Sequence, residues 1–405
     1  MLDVLIIGAG PAGAVAAGLL AKNGYSVRVL ERQKFPRFSI GESLLAQSIE
    51  LIDMAGMLEP VMSAGFQFKN GAAFVRGAEY AEYNFADKSS PGPMSTFQVP
   101  RAEFDKVLAD AASGMGADIR YEIEITAVDF SGTPTLTSRD AAGKVEQHQA
   151  KFVLDASGFG RTLPRLLKLD RPADFPVRAA LFTHIRDHVP AGEFDRQKIR
   201  VTIHPVQHDI WYWLIPFSDG RSSLGVVARD ETLQAIKGSN EERLWTLVRQ
   251  DAGLAKLLER ATPVNPVNEL RGYAAHVSTL HGPGFALLGN AAEFLDPVFS
   301  SGVTIALKSA HLAAAALHRQ FSGNTVDWQA EFAEPLLAGV ETFRGFVNTW
   351  YDGTLQDIFF YDKQHPKIRR MICSILAGYA WDGNNQYHGP KTEARLRVLA
   401  EAIRV

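Results

Sequence analysis

The stretch Leu2-Asp3-Val4-Leu5-Ile6-Ile7-Gly8-Ala9-Gly10-Pro11-Ala12-Gly13 decides the fold. Its first half is a branched apolar run that reads as a buried strand, and the glycines follow at once. A helix-like stretch, Ala14 to Asn23, comes next, then Gly24 and a second strand, Ser26 to Leu30, ending at Glu31. Strand, glycine loop, helix, strand and acid in that order are what a dinucleotide site requires. Gly8 permits the tight turn and Gly10 lets backbone N–H groups approach a pyrophosphate. Gly13 allows close packing of helix on strand, and the helix N-terminus opened by Pro11 and Ala12 favours phosphate charge. Glu31, eighteen residues after Gly13, stands where a carboxylate accepts hydrogen bonds from an adenosine ribose, with Arg32 beside it.

Two later segments repeat the logic of a strand running into a small-residue turn. Phe152-Val153-Leu154-Asp155-Ala156-Ser157-Gly158 is one, with Arg161 following. Phe285-Ala286-Leu287-Leu288-Gly289-Asn290-Ala291-Ala292 is the other, leading through Asp296-Pro297 and Gly302 into an apolar helix, Val303 to Leu317. With these in place the chain resembles the FAD-containing monooxygenases, halogenases and reductases. The resemblance implies that Gly8, Gly10, Pro11, Ala12, Gly13, Glu31 and Arg32 hold the ADP half of FAD. It adds Arg101 at a helix start, Asp155 in the mid-chain turn, Gly289 and Asn290 at the ribityl chain, and Gly302 and Val303 at the flavin pyrimidine. Asn290 stands where the family has Asp; its amide still donates and accepts but carries no charge. An ion pair of Arg101 with Glu103 or Asp105 is the plainer reading of that arginine. No second glycine-rich fingerprint is present, so reduced flavin is expected from a separate flavin reductase.

Three strings narrow the resemblance to flavin-dependent halogenases, in particular the branch acting on phenols and carrier-bound substrates and its halogenase-like flavoproteins. Trp211-Tyr212-Trp213-Leu214-Ile215-Pro216 fits W-x-W-x-I-P. Along a strand Trp211 and Trp213 point to one face, a bulky wall whose indole N–H groups need partners when buried. The plain alternative is an aromatic strand packing a core. Phe294-Leu295-Asp296-Pro297-Val298-Phe299-Ser300-Ser301-Gly302 fits F-x-x-P-x-x-S-x-G. Backbone amides of Ser301 and Gly302, entering a helix, suit halide. Lys69 lies in Phe66-Gln67-Phe68-Lys69-Asn70-Gly71-Ala72-Ala73-Phe74, downstream of the Gly41-Glu42-Ser43 turn. In a dry pocket its side chain either hydrogen-bonds hypohalous acid as ammonium or attacks it as amine; without that context it is a solvated turn residue. Phe299 stands where the tryptophan halogenases carry glutamate.

The resemblance implies an α/β chain: a Rossmann-like FAD-binding domain interleaved with an antiparallel-sheet substrate domain and a helical C-terminal region. The expected FAD-binding segments are 1–75, 99–170 and 271–330. The expected substrate-covering segments are 76–98 and 171–270, with strands such as Ala179–Ile185, Ile199–His204 and Ser222–Ala228. Residues 331–405 are expected to be helical, with Phe343, Phe346, Trp350 and Tyr351 at core spacing. The implied activity is halogenation of an electron-rich aromatic, free or acyl-carrier-protein-bound, with Lys69, Trp211 and Trp213 catalytic and Lys69 facing a cavity joined to the flavin. An FAD-dependent dehydrogenase, reductase or hydroxylase on the same scaffold is the competing reading, and a flavin carrier without turnover a third. Lys363, Lys367, Arg369 and Arg370 form either a solvated helix face or a dock for an acidic carrier protein.

Composition agrees. The 405 residues suggest two to three domains at roughly 150 each, and 42 Lys+Arg against 45 Asp+Glu leave a net charge of −3, unlike a nucleic-acid binder. One cysteine excludes an intramolecular disulfide and a thiolate cluster. His184/His188 and His204/His208 lack a metal-binding context, and Ser157 and Ser301 lack a base, so neither metal nor hydrolase chemistry is expected. With no basic leader and no long apolar run, the expectation is a cytoplasmic enzyme without an integral membrane segment.

Overall fold

A computed structural model describes residues 1–172 and 176–404 of the chain. The opening run forms the strand Leu2–Ile7, and the helix Pro11–Lys22 starts directly on the glycine loop, with proline in its first turn. Proline suits that place because its missing N–H would have had no partner in the first turn anyway. Val27–Glu31, Asp118–Tyr121, the end of Val145–Asp155 and Phe285–Leu287 line up parallel to the first strand in one sheet. Ile123–Asp129 and Thr135–Asp140 add an antiparallel flap to the start of Val145–Asp155. The helices Pro11–Lys22, Arg101–Gly114 and Ser301–Phe321 pack together beside this sheet.

The second sheet runs Thr262–Pro263, Arg178–Arg186, Arg221–Arg229, Trp211–Pro216, Lys198–Ile203, Gly71–Arg76 and Glu79–Asn84. Its entry strand Gly71–Arg76 begins five residues before the expected substrate-covering segment, because its hydrogen bonds go to Lys198–Ile203 and Glu79–Asn84 rather than to the nucleotide-binding sheet. Residues 230–257 also differ from the expected run of short strands. They form the helices Asp230–Ala235, Asn240–Val248 and Ala252–Leu257. Asn240–Val248 carries a capping box in which Ser239 and Glu242 satisfy each other's backbone N–H, a local helix signal stronger than the strand pattern. Residues 173–175 and 405 of the expected segments lie outside the described residues.

These helices explain why the whole strand Trp211–Pro216 is buried. Trp211, Trp213 and Ile215 belong to the main core, which they share with the nucleotide-binding domain and the C-terminal helices. Tyr212 and Leu214 belong to a second core, with Leu233, Leu244, Leu247 and Leu254 of the three helices. Period-2 alternation therefore places both indoles on one face, with a packed layer behind them. Among the described residues no helix is long and apolar enough to cross a membrane.

Gly225 pairs directly with Trp213. A Cβ built there would lie 2.1 Å from the indole Cζ2, so the glycine is the slot into which the ring fits. Gly225→Ala should cost about 1–3 kcal/mol of stability by overpacking, read as a lowered urea midpoint; an unchanged midpoint would show that the ring moves freely.

Candidate active site

The glycine loop is built as a cradle. Gly8 has φ +95, and a Cβ at Gly13 would lie 1.9 Å from Gly8 O, so only glycine lets the helix sit this close to the strand. Glu31 is buried and accepts from Ala9 N at 2.9 Å and Gln33 N at 2.9 Å. Each carboxylate oxygen keeps acceptor capacity for a ribose hydroxyl. Arg32 is exposed at the strand end. Arg101 sits at its helix start as expected, but its guanidinium is engaged by Asp105 at 2.7 and 3.0 Å and by Ile40 O at 2.7 Å. Arg37 Nη1 pairs with Asp105 Oδ2, an oxygen it shares with Arg101, at 2.9 Å, and its Nη2 lies 3.5 Å from the Cβ position of Gly10. Two guanidinium groups on one carboxylate give this cluster one positive charge beside Gly10. Arg37 is a residue that the sequence reading missed; it follows no motif and reaches the loop only through the fold.

Asp155 is fully buried, and burial raises its pKa. Its oxygens accept from Ser157 N at 2.8 Å and Leu163 N at 2.6 Å, so it shapes the turn and any contact with cofactor comes from that turn. Gly289 has φ +52, and its Cβ would lie 2.9 Å from Ala306 Cβ, which lets this turn lie on the long helix. Asn290 Oδ1 is buried without a partner. It lies 3.7 Å from the Cβ position of Gly302, at the start of Ser301–Phe321. No side chain caps that helix, and Ser300 before it adopts a left-handed φ of 56. The first amides of the helix, including those of Ser301, Gly302 and Val303, are therefore open to an anion or a carbonyl. An orphaned acceptor, a glycine cradle and an uncapped 21-residue helix fit FAD. They would hold its ribityl hydroxyls, pyrophosphate and pyrimidine.

The two motif strings meet through a hydrogen-bonded chain. Trp211 Nε1 donates to the Tyr351 hydroxyl at 2.9 Å, and Tyr351 donates to Asp296 Oδ2 at 2.8 Å. Tyr273 donates to the same oxygen at 3.1 Å, and Asp296 Oδ1 accepts from Val298 N at 3.0 Å. The Arg178 guanidinium lies 3.4 Å over the Tyr351 ring. Burial raises Asp296 to about 6, against the pull of its tyrosine and backbone donors and of Arg178. Tyr351 and Tyr273 are pushed well above the ordinary phenol range by burial and this carboxylate. A cavity of about 290 Å³ opens beside the group, lined by Arg178, Gly272, Tyr273, Leu295, Asp296 and Tyr351 among others. Trp213 Nε1 donates to Ser223 Oγ at 3.0 Å, so both indoles have the partners they need.

Lys69 is the last residue of the strand Gln67–Lys69, not a turn residue, and its side chain is among the largest fully buried ones. Nζ donates to Ser43 Oγ at 2.7 Å, in the Gly-Glu-Ser turn, and to Leu44 O at 2.7 Å, the next residue, and lies 5.3 Å from the Phe85 ring centroid. Among the described residues no carboxylate forms an ion pair with it, and burial pulls its pKa down to about 7. Lys69 is not among the residues lining the 290 Å³ cavity. Glu42, next to Ser43, pairs with His184 at 2.7 Å and ties this turn to the second sheet. Phe299 packs edge-on against Phe346 and Trp350, an apolar wall just before the long helix. Arg369 is drawn onto the Tyr83 ring, while Lys363, Lys367 and Arg370 stay exposed.

Comparison with known proteins agrees with this geometry. Residues 1–332 match a family model described as FAD binding domain. The chain is 29% identical to a 1H-pyrrole-2-carbonyl-[peptidyl-carrier protein] chlorinase of Pseudomonas fluorescens, over 94% of this chain and 90% of that one. It is 28% identical to the corresponding brominase of Pseudoalteromonas luteoviolacea, over 94% and 92% of the two chains. A flavoprotein/dehydrogenase from Cytophaga hutchinsonii superposes with TM-score 0.95 at 44% identity, covering 100% and 98%. The flavin-dependent brominase Bmp2 superposes with TM-score 0.85 at 26% identity, covering 100% and 99%.

Two outcomes test the site. Asn290→Ala should weaken FAD binding up to about tenfold, the worth of one hydrogen bond of about 0.5–1.5 kcal/mol, measured by flavin fluorescence on titration. Because Asp296 is raised from 3.8 to about 6, the folded protein holds this proton more tightly than the unfolded chain does. Its contribution to stability is complete below pH 4 and is lost as pH rises through 6. Urea unfolding at pH 4.5 and 6.5 should show that loss in the native protein and a flatter response in Asp296→Asn.

Proposed function

This chain belongs to the FAD binding domain family as an FAD-dependent oxidoreductase related to flavin-dependent halogenases, and we propose that it halogenates an electron-rich aromatic ring. Reduced FAD, when bound, supplies the two electrons with which oxygen is activated to oxidise halide. The amides of Ser301 and Gly302 receive the halide, Trp211 and Trp213 wall the flavin side from the substrate, and Lys69 handles the hypohalous acid. The observation that carries this reading is the buried Lys69 amine, held by Ser43 and Leu44 with no carboxylate partner among the described residues. A structural lysine would gain little from such burial, since the desolvation of its charge is uncompensated. A depressed pKa in a water-poor site is what acid–base or electrophile-handling chemistry uses.

The substrate is an aromatic ring delivered free or on a carrier protein; the chlorinase and brominase above are named for carrier-bound pyrrole substrates. Lys363, Lys367 and Arg370 offer an exposed basic face that suits an acidic carrier. Since the sequence carries one nucleotide fingerprint, a separate reductase supplies the reduced flavin. Dehydrogenase activity is the competing reading, and a flavoprotein/dehydrogenase is among the structural relatives.

One assay separates the two. Purified protein is given reduced FAD, oxygen and bromide or chloride with phenolic and carrier-bound pyrrole substrates, and products are weighed by mass spectrometry. Halogenated product lost in Lys69→Ala is expected; oxidised product independent of halide would establish the dehydrogenase reading instead. With Lys69 titrating at about 7 and acting as ammonium, halogenation should fall as pH rises through 7. A limb that rises there would assign the neutral amine as nucleophile.

A further inference from the structure

The strand that ends in Lys69 pairs antiparallel with Thr96–Gln98, and the register sets Lys69 directly opposite Thr96. Directly opposed side chains leave the same face of the ribbon with Cβ atoms about 4.5–5.5 Å apart. The alternation is visible in the burial. Lys69 and Thr96 are each 1% exposed, whereas Phe68, on the other face, is 43% exposed. Thr96 Oγ1 is buried and has no hydrogen-bond partner, and neither does Oε1 of Gln98, the next residue on that face. Lys69 spends two of the three ammonium donors on Ser43 and Leu44. A buried hydroxyl without a hydrogen-bond partner thus shares one face of a strand pair with a buried amine that has two of its three donors placed, with Phe85 beside that amine.

An orphaned buried hydroxyl costs about 1–3 kcal/mol unless a guest satisfies it. We propose that Thr96 is a second catalytic contact of the Lys69 site, holding hypohalous acid by its hydroxyl hydrogen while the Lys69 ammonium donates to its oxygen. This rests on the halogenation reading above. Gripped at both its proton and its oxygen, HO–X presents the halogen to the substrate ring. The C–X bond forms as the O–X bond breaks, and the displaced ring proton leaves with that oxygen as water. Ar–H and HO–X become Ar–X and H2O, with no further oxidant or reductant.

Thr96→Val removes the hydroxyl and keeps the shape; Thr96→Ser keeps the hydroxyl. With reduced FAD, oxygen and bromide, halogenated product per flavin oxidised should fall about fivefold or more in Thr96→Val, the scale of one lost hydrogen bond. Bromination of a diketone trap in bulk solution should rise in step, and Thr96→Ser should restore both. A second readout needs no flavin: the pH midpoint of the Lys69 ε-carbon resonance should move in Thr96→Val and return in Thr96→Ser. Native-like coupling in Thr96→Val, or failure of Thr96→Ser to rescue it, overturns the assignment. If the native protein yields neither product nor brominated trap, the halogenation reading falls by itself. The resonance then decides on Thr96, and an unmoved midpoint removes it from the Lys69 environment.

Discussion

The Tyr351 hydroxyl accepts from Trp211 and donates to Asp296, and in doing so joins three parts of the chain that no local sequence signal connects. Trp211 is in the substrate-side sheet, Tyr351 ends a C-terminal helix, and Asp296 opens the loop that leads to the uncapped helix of the cofactor site. Trp211 and Asp296 are buried and Tyr351 is half-buried between them, so each bond forms in a medium where an unmet donor or acceptor is costly. The carboxylate gathers three donors and lies within the field of Arg178, yet burial still raises its pKa. The wall of indoles cannot slide relative to the cofactor loop without breaking this chain. That coupling fixes the spacing of the two halves of the site.

The Lys69 side depends on a different compromise. There a cation is enclosed with two oxygen acceptors and an aromatic ring in place of a counter-ion. Hydrogen bonds to a hydroxyl and a carbonyl orient the amine but do not neutralise it, and its proton affinity falls accordingly. Glu42, one residue from Ser43, turns to His184 on the second sheet. The Gly-Glu-Ser turn thus holds the amine with one residue and grips the sheet with its neighbour. The position of Lys69 is set by one short segment, and its lowered pKa by burial.

Much of this was legible in the sequence wherever the signal is local. The glycine loop, its flanking strands and the helix behind them follow from the spacing of Gly8, Gly10 and Gly13, and the strands Arg178–Arg186, Lys198–Ile203 and Arg221–Arg229 from short apolar runs bounded by turns. The shared face of Trp211 and Trp213 follows from the alternation of side chains along a strand. The helices over residues 230–257 escaped because short amphipathic segments between strands carry weak periodicity, although Ser239 and Glu242 held a capping signal. Arg37 and Tyr273, and the roles of Tyr351 and Ser43, escaped for another reason. Their partners are distant in sequence (Trp211 and Tyr351 are 140 residues apart), and spacing cannot report a contact that only the assembled fold creates. Asp155 shows the converse: it stands in the mid-chain turn that the motif marks, but both oxygens serve the backbone of that turn.

The strand Trp211–Pro216 has a packed core on each side. Reshaping the indole wall to admit a bulkier acceptor therefore also disturbs the layer behind it, through Tyr212, Leu214 and the glycine slot at 225. Catalyst redesign at this wall draws on the thermodynamic reserve of the whole sheet. The loops and helix ends around the cavity, sharing fewer neighbours with that second layer, are the more forgiving route to altered scope.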